Sequence, residues 1–207
     1  MAIGDDIKET YEEVGIPFTG YSFPLGTQHP EYCLVEKYTE QSTEFIRQNV
    51  VVINIVFDSM LEVGDYLLLE GIFYLVTSKD STRVENEVAF YRCMLFKCNV
   101  SVDWYKWTPD RGYDADYNKL PEFTKEKADC VALFLENVRG TGGDNVEEVY
   151  YSSSSGHTVY SQQHGFSPGD RLLIEGLFYL VENMHNHRLA GVSVLFLKKV
   201  EDDTATY

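Results

Sequence analysis

Short runs of apolar, β-branched and aromatic residues, separated by turn residues, make up much of this chain, and one acidic stretch near its start has helical spacing instead. Over Asp5–Val14, Ile7, Tyr11 and Val14 fall on one helical stripe and the acidic residues lie largely elsewhere. That spacing predicts a short helix, stopped by Gly15 and Pro17. The next stretch, Gly15–Pro30, mixes Pro17, Gly20, Pro24, Gly26 and Pro30 with Phe18, Tyr21 and Phe23, and reads as an extended arm. Strands follow. Tyr32–Tyr38 opens a first series, and Asn49–Phe57 is the most β-branched run of the protein. Tyr66–Leu69 and Ile72–Thr77 flank Glu70-Gly71, a pair suited to a tight hairpin turn. Glu87–Val100 closes the series with two largely apolar faces, as expected of a strand covered on both sides.

A second series repeats the first. Gly64-Asp-Tyr-Leu-Leu-Leu-Glu-Gly-Ile-Phe-Tyr-Leu-Val76 returns as Gly169-Asp-Arg-Leu-Leu-Ile-Glu-Gly-Leu-Phe-Tyr-Leu-Val181, with ten of thirteen positions identical at an offset of 105 residues. Identity this dense means that one supersecondary unit was used twice. Around the second copy, Asp129–Glu136, Val146–Tyr151, Thr158–Ser161 and Ser193–Val200 supply the remaining strands. Short strands between regular turn signals predict an all-β chain of two tandem homologous antiparallel barrels or sandwiches, preceded by the helix and arm. The expected boundaries are 1–31 for helix and arm, 32–107 for the first barrel, 108–127 for a polar linker, 128–201 for the second barrel, and 202–207 for a tail.

Composition changes this picture in one respect. Thirty-three acidic against 17 basic residues give a formal charge of −16, which disfavours a grip on nucleic-acid phosphates or anionic lipid. No apolar run reaches the roughly 20 residues of a membrane span, and the acidic N-terminus is unlike a signal peptide. Both features predict a protein made in the cytoplasm. The four cysteines include no C-x-x-C pair and are expected to be reduced thiols, with Cys33 and Cys130 at equivalent core positions.

Candidate chemistry is sparse. Asp114, Asp116 and Asn118 have the opening spacing of a calcium loop, but Lys119 and Lys125 stand where its glycine and bidentate glutamate belong. His185 and His187 would share one face of a strand, with no third ligand specified. There is no Gly-x-Ser-x-Gly elbow and no cysteine with an evident histidine partner. The repeated residues Gly64, Asp65 and Gly71, with Gly169, Asp170 and Gly176, read as turn chemistry, and Glu70 and Glu175 likewise. Trp104 and Trp107 read as anchors of the linker or of a subunit interface, and Phe18, Tyr21 and Phe23 as arm residues docking on a neighbouring subunit. The sequence therefore predicts no enzyme, no cofactor and no metal.

The Gly-Asp-x-Leu-x-x-x-Gly-x-x-Tyr-x-Val pattern at Gly64–Val76 and Gly169–Val181 resembles a hairpin of small β-barrel proteins of tailed bacteriophages. The neck group is the nearest: head-completion, head-closure or stopper, and tail-attachment proteins. The resemblance covers the hairpin and the following strand of each half, and the chain departs from a usual stopper in being duplicated. It implies a virion structural protein that assembles with copies of itself into a ring, contacts neighbouring connector or tail proteins, and lets DNA pass without specific binding. A tail-tube-associated or tail-end protein is an alternative within the virion. A two-domain carbohydrate- or peptide-binding protein is an alternative outside it.

Overall fold

The computed structural model describes residues 3–22, 26–36, 48–84, 86–108, 112, 122–136, 156–186 and 191–200. Among the described residues, helix α1 (Ile3–Val14) precedes twelve strands. The first six are β1 (Ile16–Tyr21), β2 (Gln28–Val35), β3 (Val50–Val56), β4 (Tyr66–Leu69), β5 (Ile72–Val84) and β6 (Glu87–Lys97). They close into an antiparallel barrel in the order β1-β2-β3-β6-β5-β4, with β4 returning to β1. The other six are β7 (Val100–Trp107), β8 (Phe123–Glu136), β9 (His157–Gln162), β10 (Arg171–Ile174), β11 (Leu177–His185) and β12 (Val192–Lys199). They close a second barrel in the order β7-β8-β9-β12-β11-β10. Adding six to each strand number of the first barrel reproduces the second.

The register repeats as well as the order. Gly20 of β1 faces Leu67 of β4, and Trp104 of β7 faces Leu172 of β10. Phe18 faces Leu69 as Val102 faces Ile174. Each barrel also carries a bulge at the same point, after Val76 in β5 and after Val181 in β11. A bulge bends a strand and raises its twist, which a sheet of six strands needs in order to close. Inward positions of the repeated hairpins, Leu67 with Leu172 and Val76 with Val181, are almost fully buried. Each such aliphatic side chain contributes about 2 kcal/mol of burial free energy.

The expected boundaries shift at three places. The stretch expected as an arm is the hairpin β1–β2, and it closes the first barrel. Pro17 lies before the pairing of β1 with β4 begins at Phe18, and Pro30 lies before that of β2 with β3 begins at Cys33. Neither missing N–H therefore interrupts a two-sided ladder. Glu87–Val100 is not one strand: β6 ends at Lys97, and Val100 already belongs to the second barrel. The stretch expected as the end of the linker, Phe123–Lys127, is the beginning of β8, paired with β7, with Lys125, Glu126 and Lys127 exposed. Among the described residues each half thus holds six strands instead of five, and the chain passes from the first compact unit to the second between Cys98 and Asn99, with Asn186, Gly191 and Val192 counted to the first. Helix α1 lies against β2, β3 and β6, with Tyr11 buried. That contact suits the two apolar faces of β6.

Candidate functional site

The repeated hairpin residues form the same turn twice. Glu70 and Gly71 have φ of 50° and 80°, and Glu175 and Gly176 have 49° and 81°. Positive φ at both central residues is the two-residue turn whose twist matches a hairpin. At the strand entry, the Gly64 amide donates to the Val76 carbonyl and the Val76 amide returns a bond to the Asp65 carbonyl, each at 2.9 Å. Gly169, Val181 and Asp170 repeat these bonds. The Asp65 carboxylate accepts from the Glu62 amide at 2.8 Å, and Asp170 accepts from the Ser167 amide at 2.9 Å. Asp170 adds the Trp104 indole Nε1 and the Trp107 amide, both at 2.9 Å. These carboxylates tie turns to strands, as fold chemistry requires, and both are buried.

The four described residues expected at a subunit interface do not form one surface. Phe18 is 3% exposed and sits in the core of the first barrel with Cys33 and Leu69. Tyr21 packs its ring against Phe73, with centroids 5.7 Å apart. Phe23 lies outside the described residues. Trp104 is 5% exposed, packs on Phe166 and spends its N–H on Asp170, so it is a core residue of the second barrel and not a linker anchor. Of the four described, Trp107 is the most exposed, at 42%. Alternation explains the error: Phe18 and Trp104 face inward once their segments are strands.

The outward residues of β1 and β2 do form a surface. Pro17, Thr19, Pro30 and Tyr32, together with Leu68 and Glu70, line an open groove of about 310 Å³ on the first barrel. Tyr32 is 41% exposed. The groove combines apolar side chains with the polar residues Thr19, Glu31 and Glu70 and is open to solvent, which suits a macromolecular contact better than an enclosed small molecule.

Thiol and imidazole groups are mostly taken up by packing. All four cysteines are free, and burial pushes Cys33, Cys93 and Cys98 up to about 12, so they are protonated and unreactive at neutral pH. Cys33 and Cys130 sit on the equivalent strands β2 and β8 but one inward position apart. Cys33 pairs with Ile16, whereas Cys130 pairs with Val102, the counterpart of Phe18. His185 rests on Phe196, and His157 stacks on Phe134. His187 and the calcium-like segment 114–118 lie outside the described residues. Among the described residues no group of three or more His, Cys, Asp or Glu side chains converges as a metal site.

One polar constellation went unseen in the sequence. His29, 3% exposed, bridges Ser22 and Glu31: Ser22 Oγ is 3.2 Å from Nε2, and Glu31 Oε1 is 2.8 Å from Nδ1. Glu31 Oε1 also accepts from the Met60 amide, at 3.2 Å. Glu31 Oε2 is buried with no hydrogen-bond partner. The ring lies flat against Gly20, where an added Cβ would come within 2.1 Å of Cε1. The only sequence signal was His29-Pro-Glu31, two polar residues on one face of a strand; Ser22 joins them across the hairpin.

No family model, no curated protein and no solved structure matches the chain.

Proposed function

We propose that the chain is a structural assembly protein, a ring-forming neck component that joins head to tail in a tailed-phage virion. One observation carries the reading: two barrels of identical strand order, each built around the hairpin that resembles those of neck proteins. Duplication supplies two similar faces per subunit, which suits a ring whose local symmetry is twice its copy number. The charge of −16 fits the same role, because an acidic wall repels duplex DNA, which carries about one negative charge per 1.7 Å of axis. DNA then slides past without being held.

The corrected strand assignments move the expected contact. Inward Phe18 is unavailable to a neighbour, so the groove of Pro17, Pro30 and Tyr32 takes its place, with Trp107 on the second barrel. A tail component would use the same surfaces. Negative-stain imaging of the purified protein, and of particles carrying an epitope-tagged copy, tests the proposal. Rings with a central channel and label at the head–tail junction are expected. Label along the tail would favour the tail component, and soluble monomers absent from particles would overturn both.

A further inference from the structure

The duplication separates what the fold requires from what it does not. Turns and bulges occur in both barrels; the Ser22–His29–Glu31 constellation occurs in one. By register, Trp104 stands at the place of Gly20, Lys127 at that of His29 and Cys130 at that of Glu31. Lys106, next to Tyr105, stands at that of Ser22. The second barrel closes and buries its core without any of the three polar residues. Where Trp104 fills its interior, the first barrel keeps a glycine and lays an imidazole over it.

We propose that Ser22 is an activated nucleophile, with His29 as its general base and Glu31 as the positioning residue, acting on carboxylic esters. In the tautomer whose Nδ1–H donates to Glu31 Oε1, Nε2 offers its lone pair to the Ser22 hydroxyl. This is the relay of a serine hydrolase, with each atom within hydrogen-bond reach. As Ser22 Oγ bonds to the acyl carbon, its proton passes to Nε2, and Glu31 Oε1 stabilises the imidazolium so formed. The ester C–O bond then breaks, and the leaving alkoxide takes that proton. Water, deprotonated by His29, attacks the acyl-serine. The free acid leaves, and the proton returns to Ser22. The chemistry needs no cofactor and goes beyond the structural role proposed above.

A fluorophosphonate probe on the intact chain tests it, with the adduct mapped by mass spectrometry. One adduct per chain at Ser22 is expected, forming at least about 100-fold faster than in urea-unfolded protein, the size of a general-base effect. Ser22→Ala should abolish it. Glu31→Gln should slow it at least tenfold, and Glu31→Asp should recover part of the rate, which a purely structural loss would not do. If Glu31→Gln unfolds the barrel, Ser22→Cys replaces that arm, and the thiol it introduces should react with iodoacetamide faster than free cysteine does. No adduct, adducts spread over several serines, a rate unchanged in Glu31→Gln, or an introduced thiol no faster than free cysteine would overturn the proposal.

Discussion

Glu70 and Glu175 hold a backbone conformation that costs a residue with a side chain about 1 kcal/mol or more, and each pairs with a glycine that has no such cost. The Glu-Gly pair was legible in the sequence because a two-residue turn is set by its own two residues. The strain on the glutamate was not, since only the structure shows that both positions have positive φ. Glu70→Asn should therefore stabilise the first barrel by about 0.5–1 kcal/mol, because asparagine tolerates this conformation. Gly71→Val should destabilise it by more than about 1 kcal/mol. Nothing lies within 4 Å of the added Cβ, so the loss would come from the backbone alone. Urea midpoints of the two variants check both signs. At His164, burial first and the Lys127 charge second push the imidazole down to about 4. Above pH 6.5 the ring is neutral folded or unfolded and contributes no pH dependence. As pH falls from about 6.5 towards 4, the unfolded chain takes up a proton that the folded ring refuses, and stability is lost. The ring is partly open to solvent, so a loss of about 1–2 kcal/mol is expected at pH 4. His164→Gln should flatten that part of the stability–pH curve.

At the scale of elements, strands with β-branched or alternating residues were legible, and strands written in proline, glycine or lysine were not. β1 and β2 contain Pro17, Gly20 and Pro30, which locally argue against a strand; pairing with β4 and stacking of His29 on Gly20 override them. Near its start β8 runs on into Lys125, Glu126 and Lys127, all exposed, so a hairpin extending beyond the core looks like a linker. The candidate site suffered most, because Ser22 and His29 meet only once the arm is a hairpin. The consequence can be tested by truncation. Removing residues 1–14 takes away α1 and should leave the first barrel closed, though less stable through the loss of buried Tyr11. Removing residues 1–21 also takes β1, which carries Phe18 and pairs with both β2 and β4. That barrel should unfold while the second stays intact. Both tryptophans, Trp104 and Trp107, belong to the second barrel, so their fluorescence should keep its folded position while circular dichroism loses strand signal. Red-shifted tryptophan emission in the longer truncation would contradict the independence of the barrels.

For the molecule as a whole, two barrels built from near-copies of one hairpin face a hazard that a single barrel escapes. Gly64–Val76 and Gly169–Val181 share their register and their inward residues except for Leu69, which Ile174 replaces, so either could pair with the other's neighbours, and strands could be exchanged between halves. The order of strands along the chain guards against this. All six strands of the first barrel are complete at Lys97, before any residue of β7. At 5–20 residues per second, the ribosome needs roughly another 5–20 s for the remaining hundred or so residues, whereas small β-barrels fold within about milliseconds to seconds. The first copy can therefore be sealed before its rival exists. Refolding the full chain from urea removes that head start. It should yield a slow or aggregating fraction that grows with concentration, and a chain ending at residue 98 should refold without one. Synthesis from one end turns two interchangeable sequences into an ordered pair, so the direction of translation does part of the work of telling the barrels apart.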